Sequence, residues 1–254
     1  MYLEKWYADW VDEHGQPHIL YRARLRWGPL SLGYSAALGR QRHARIVWGG
    51  GRMPLPQVAG NIVQWPCADR ADQHAHWRWH GAQPAAQTLW QQRQQAVVWA
   101  PVVCNGPVHA PDGSCQGRGY VERLTLNVAP WKLGLRTLKW GRFCGARHSL
   151  IWIEWQGRQP LQLVLLNGRA DAVCHIGGDG IRTATARLAL HAAQPIVHES
   201  LGAGALHPLA GLRRLARPDF LAGVESKWVA ATTLYLHGQA ADTGHAIYEE
   251  VQWP

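Results

Sequence analysis

The chain has 254 residues, a formal net charge of +9, 47% hydrophobic and 17% charged residues. That balance excludes a disordered chain and allows a large core, in one big β domain or in two packed lobes. Only Lys5, Lys132, Lys139 and Lys227 of the 26 basic residues are lysines, and the arginines are scattered, which excludes a nucleic-acid arm or a nuclear signal.

Met1-Tyr2-Leu3-Glu4-Lys5-Trp6 lacks the basic and apolar regions of a secretory leader, and no stretch has the length of a membrane-spanning helix. Cys67, Cys104, Cys115, Cys144 and Cys174 form no CxxC pair, so reduced thiols in a cytoplasmic, soluble protein are expected. Period-two alternation dominates. Residues 19–27 place Ile19, Tyr21, Ala23, Leu25 and Trp27 on one face, with Arg22, Arg24 and Arg26 on the other. Strands follow at 30–38, 43–48 (closed by Gly49-Gly50-Gly51), 74–80 and 95–103, the last interrupted by Pro101. Turn formers crowd 105–118 and suggest a boundary there, dividing the chain into lobes 1–110 and 111–254.

Further strands are expected at 119–127, 135–143, 149–156, 161–166, 170–176, 181–189, 228–237 and 245–252. Hairpins are expected at Asn167-Gly168 and Gly177-Gly178-Asp179-Gly180, and one short helix at 208–216 after Pro208. The prediction is an all-β, antiparallel protein of barrels or sandwiches with at most one or two short helices. A Tyr-x-Glu echo recurs at Tyr2, Tyr120 and Tyr248, the first two about half a chain apart, as two similar lobes would give.

Fifteen Trp against two Phe is an unusual allotment. Indoles bring flat, electron-rich faces and one N–H each, which suits a lined cavity; strand preference and core packing are the plainer explanation. In the strand around Tyr120-Val121-Glu122, the inward face of Tyr120, Leu124 and Leu126 carries Glu122 with it. Desolvation raises a carboxyl pKa, and a carboxyl protonated near neutrality can act as a general acid. An inert ion pair with a buried arginine such as Arg142 is the alternative. Glu154 lies in Leu150–Trp155, a strand apolar on both faces, and is the second candidate acid or base with the same alternative. Trp131, Trp140 and Trp152 could shelter a carbocation by their ring quadrupoles.

His74, His76 and His80 share a face, but Arg78 lies between them and no acid or thiol completes a metal site. No nucleophile elbow or phosphate loop is present. The Arg22/Arg24/Arg26 stripe could meet phosphates or anionic headgroups, or be a solvated face.

Trp6-Tyr7-Ala8-Asp9-Trp10, Gly117-Arg118-Gly119-Tyr120-Val121-Glu122, Pro130-Trp131, Trp140-Gly141-Arg142-Phe143, Trp152, Lys227-Trp228 and Gly244–Glu250 follow one another in an order that resembles the carotenoid 1,2-hydratase / AttH-like family. The resemblance implies two lipocalin-like β lobes and a hydrophobic small-molecule site. Members hydrate terminal double bonds of carotenoids, and relatives are isomerases or cyclases. Tyr120, Glu122, Trp140 and Trp152 are the matching positions, with Glu122 where the hydratases more often carry Asp.

The leading expectation is a cofactor-independent enzyme acting on an apolar unsaturated molecule by acid-initiated hydration, isomerisation or cyclisation. Glu122 would be the acid, Tyr120 or Glu154 its helper, and Trp131, Trp140, Arg142 and Trp152 the substrate-binding residues, with no metal. A non-catalytic binder of a hydrophobic ligand is the alternative. Nucleic acid is not expected as a partner; transient contact with a membrane surface is allowed, and oligomeric state is left open.

Overall fold

In a computed structural model of the chain, residues 1–39, 43–48 (backbone only), 53–67, 76–81, 83–203 and 217–254 are described. The calls on His74, on Gly49-Gly50-Gly51 and on the helix at 208–216 lie outside these residues. Strand makes up 71% of the structure and helix 4%, so the protein is all-β. The contacts divide it into an N-terminal unit, Met1–Ala129, and a C-terminal unit, Pro130–Pro254.

The N-terminal sheet contains β1 (Tyr2–Val11), β2 (Pro17–Trp27), β3 (Leu30–Leu38), β4 (His43–Trp48), β5 (Gln57–Ala59), β6 (Ile62–Pro66), β7 (His76–His80), β8 (Gln87–Gln92), β9 (Gln95–His109) and β10 (Cys115–Leu126). Their order is β4-β3-β2-β1-β10-β9-β7-β6-β5, with β8 on β9, all antiparallel. The C-terminal sheet is a nearly closed barrel. It contains β11 (Leu135–Gly145), β12 (Ser149–Gly157), β13 (Leu161–Leu166), β14 (Arg169–Asp171), β15 (Val173–Gly177), β16 (Gly180–Thr183), β17 (Ala186–Ser200), β18 (Val224–Leu236) and β19 (Gln239–Gln252), in the order β14-β13-β12-β11-β19-β18-β17-β16-β15. A single turn of helix, α1 (Pro218–Ala222), precedes β18.

The division falls after Ala129, not at 110, because the 105–118 segment joins two strands of one sheet. Asn105-Gly106-Pro107 lies inside β9, and only Pro111-Asp112-Gly113 forms a turn, closed by the Gly113 N–H on the Ala110 carbonyl at 2.9 Å. Proline is tolerated in β9 for a local reason. β8 pairs it at Gln95–Trp99 and β7 at Val108–His109, so among the described residues Pro101 and Pro107 fall outside the ladder on that edge. The Asn167-Gly168 hairpin forms as expected, with both residues at positive φ (50° and 78°).

Both sheets pair their first strand with their last, β1 with β10 and β11 with β19. This recasts the Tyr-x-Glu echo: Tyr2 and Tyr120 sit in one sheet, whereas Tyr120 on β10 and Tyr248 on β19 hold corresponding places in the two strand orders.

Two of the tryptophans, Trp79 and Trp152, are seated by glycines in central strands. A Cβ on Gly119 would stand 2.1 Å from the Asp9 carbonyl oxygen and 2.9 Å from Trp79 Nε1, whose N–H donates to that carbonyl at 3.3 Å. In the C-terminal sheet a Cβ on Gly141 would stand 2.2 Å from Trp152 Cζ2. The N-terminal core gathers Trp6, Trp10, Trp65 and Trp79 with Val63, Val103, Val108 and Val121. The C-terminal core gathers Phe143, Leu150, Trp152, Val164, Ile181 and Leu188. Gly141→Ala is therefore expected to cost about 2 kcal/mol through overpacking against Trp152, whereas Gly178→Ala, with nothing within 4 Å, should stay within about 0.5 kcal/mol of the parent. Urea denaturation of the two variants measures both.

Candidate functional site

On a strand, residues two apart share a face. Tyr7 and Asp9 therefore point together from β1, and Tyr120 and Glu122 together from β10. The register is antiparallel and reciprocal: Tyr7 lies opposite Glu122, and Asp9 opposite Tyr120. Each tyrosine thus stands beside one acid on its own strand and across from the other.

All four side chains are buried, Asp9 and Tyr120 completely and Glu122 to 8% exposure. The Tyr7 hydroxyl donates to Asp9 Oδ2 at 2.6 Å. Glu122 Oε2 accepts from the Tyr120 hydroxyl at 2.9 Å and from Trp99 Nε1 of β9 at 2.5 Å. Tyr21 of β2 meets Tyr7 edge to face at 5.3 Å, and the Tyr7 and Tyr120 rings are 6.3 Å apart. Burial above all, then the charge of Glu122, Cys104 and the hydrogen bond to Glu122, hold the Tyr120 hydroxyl well above the ordinary tyrosine range. Tyr120 is a neutral donor. A proton leaving Glu122 would create an anion that already faces two donors, and hydrogen bonds to an ionised acceptor are the stronger kind.

Glu122 and Tyr120 are thus brought together as expected. Trp99, Tyr7 and Asp9 were not singled out for chemistry. A signal existed for two of them, since Tyr7-x-Asp9 has the same spacing as Tyr120-x-Glu122; nothing local marks Trp99.

The remaining expected residues lie in the C-terminal unit. Glu154 stands across from Lys139 in the β11–β12 register and is paired with its Nζ at 2.8 Å. It also accepts from Gln162 Nε2 at 2.6 Å. Burial by itself would raise its carboxyl, but the Lys139 and Gln162 hydrogen bonds outweigh that and hold it below the ordinary range. Glu154 is an ionised partner in a structural pair, not a proton donor. Arg142 is fully buried and donates to the His245 carbonyl at 2.8 Å.

Trp131, Trp140 and Trp152 do not form one ring. Trp140 is opposite Ile153 and Trp152 opposite Gly141, so their side chains leave opposite faces of the sheet. Trp152 packs in the barrel core, and Trp131 meets Phe220 edge to face at 5.8 Å. The same unit holds a polar cluster that the sequence did not announce. Lys227, fully buried on β18, bridges Glu225 at 3.0 Å and Glu249 of the adjacent strand.

The arginine stripe is not an open anion surface. Arg22 is buried and donates to the Pro54 and Pro66 carbonyls at 2.5 and 2.7 Å, and Arg24 donates to the Met53 carbonyl at 3.3 Å. His80 of β7 packs against His109 at 5.0 Å. Among the described residues no three His, Cys, Asp or Glu side chains converge as a metal ion would require.

No protein-family model matches the chain, and no curated protein matches it in sequence. Solved structures do. A candidate AttH of Nitrosomonas europaea superposes with a TM-score of 0.52 at 12% identity, covering 98% of this chain and 92% of that one. The chain has the AttH-like, lipocalin-like fold. Two more distant structures are kievitone hydratase from Nectria haematococca, at 8% identity, TM-score 0.49 and coverage of 98% and 88%, and CghA, at 11% identity, TM-score 0.48 and coverage of 99% and 88%.

Because the Glu154 carboxyl sits lower in the folded protein than the ordinary 4.5, its contribution to stability is complete above that pH and is lost as pH falls through the lower folded value. Lys139→Met should destabilise the protein by about 3 kcal/mol at neutral pH and move acid unfolding to higher pH. Circular dichroism followed through an acid titration reads both effects.

Proposed function

We propose that this chain is an enzyme acting on an apolar, unsaturated small molecule, such as an isoprenoid or polyketide-like chain, by proton transfer from Glu122 and without a cofactor. The observation carrying this reading is the double hydrogen bond from Tyr120 and Trp99 to one oxygen of a buried carboxyl. The Glu122 proton passes to one carbon of a carbon–carbon double bond, breaking the π bond and leaving a carbocation on the other. As the carboxylate forms, the Tyr120 and Trp99 donors stabilise it without having to reorient, which is where binding energy accelerates a reaction.

The cation is met by the ring faces of Tyr7, Tyr21, Tyr120 and Trp99, worth about 0.5–2 kcal/mol each. Capture by water with loss of its proton gives hydration; loss of a neighbouring C–H proton gives an isomer; attack by a second double bond gives a ring. In each case a base must take a proton, and Asp9, linked to Tyr7 on the same face, is the second carboxylate available besides Glu122 itself. Trp131, Trp140, Arg142 and Trp152, expected as substrate-binding residues, are assigned no role in this chemistry.

The test is incubation with a panel of acyclic polyenes in deuterated water, with product mass and absorbance as readouts. A product carrying carbon-bound deuterium is expected. Glu122→Gln should lower turnover by about a thousandfold with the circular dichroism spectrum unchanged. Full activity in that variant removes Glu122 from the chemistry, and ligand-dependent Trp fluorescence with no change in ligand mass identifies a binder instead.

A further inference from the structure

We propose that the C-terminal unit carries a docking surface for an anionic lipid bilayer, centred on Trp131, Phe220 and Trp253. The three rings are contiguous: Trp131 meets Phe220 edge to face at 5.8 Å, and Phe220 stacks on Trp253 at 5.8 Å with 19° between the planes. Each is half-buried, held firmly but open on one side. Trp253 is fixed by its indole N–H on the Phe220 carbonyl at 3.2 Å, by its backbone N–H on the Arg136 carbonyl at 2.9 Å, and by Gly223, where a Cβ would stand 2.6 Å from the indole. These contacts anchor the partly exposed aromatic surface to β11 and α1, so ordering it costs little when a partner arrives.

Four exposed basic residues lie in or beside the segments that carry the rings. Lys132 follows Trp131 directly, Arg217 occupies the N-cap position of α1, Arg136 accepts the Trp253 backbone N–H at its carbonyl, and the backbone N–H of Arg158 donates to the Gly134 carbonyl at 3.1 Å. Asp219 of α1 is the exposed carboxylate of this surface among the described residues. Rings with a polar edge set among cations match the boundary between acyl chains and anionic headgroups, where indoles concentrate and basic side chains are attracted. A nucleic-acid strand needs aromatic faces spread to receive successive bases, whereas these rings are packed on one another. On β2, Arg22 and Arg24 are bonded to backbone carbonyls, and Arg26 is left as a single exposed arginine lying over the Tyr2 ring at 5.4 Å. An apolar substrate would be taken from or returned to such a surface, but the docking inference stands on the patch alone.

The experiment is co-sedimentation of the full chain with phosphatidylcholine vesicles and with vesicles containing phosphatidylglycerol, in low and high salt and without substrate. Binding is expected only to the anionic vesicles and should weaken with salt. Arg136→Gln with Arg158→Gln should lower the partition about fivefold for each charge removed, and Phe220→Ser about tenfold, with unchanged circular dichroism. Failure to bind anionic vesicles, or equal binding by the arginine variants, overturns the proposal. So does displacement of the protein by a single-stranded oligonucleotide, or a concentration-dependent dimer in sedimentation velocity that the same substitutions dissociate. Vesicle binding is read without turnover, so its failure would leave the role of Glu122 untouched.

Discussion

A carboxyl group inside a β-sheet must meet donors at hydrogen-bond distance, because a buried polar group left without one costs about 1–3 kcal/mol. The N-terminal sheet meets this requirement with the pleat itself. Tyr-x-acid on β1 and Tyr-x-acid on β10 run antiparallel in reciprocal register, so each hydroxyl serves the acid two residues on. Trp99 comes to Glu122 from a third strand. The outcome is a compact polar island in which the Tyr120 hydroxyl is kept neutral, above all by burial.

The C-terminal sheet solves the same problem with cations. Glu154 faces Lys139, and Lys227 faces Glu249 with Glu225 beside it, each across a β-ladder. An ammonium group adds a full opposite charge to its hydrogen bond, whereas hydroxyl and indole donors supply the hydrogen bond alone. That contrast in donor type separates Glu122, bonded to neutral donors, from Glu154, bonded to a lysine.

The heavy use of tryptophan has a packing explanation in both sheets. At Gly119 and Gly141 a Cβ would stand 2.9 Å from the Trp79 indole nitrogen and 2.2 Å from Trp152 Cζ2, so glycine makes room for each ring. At Gly119 the seated indole also satisfies its own N–H on the Asp9 carbonyl, which ties the N-terminal core to the strand carrying the polar island. Phenylalanine could fill the volume but could not make that bond.

The sequence by itself determined the all-β class, most strand positions, the Asn167-Gly168 turn and the burial of Glu122 beside Tyr120, because alternation and turn chemistry act over a few residues. Tertiary structure alone decided that Trp99 caps Glu122, that Lys139 neutralises Glu154, that Trp140 and Trp152 leave opposite faces, and that Arg22 is spent on proline carbonyls. It also decided that the turn-rich 105–118 segment closes a hairpin instead of parting two units. Each of these depends on which strand lies beside which and in what register. That pairing is settled by contacts between residues far apart in the chain, and no local pattern encodes it.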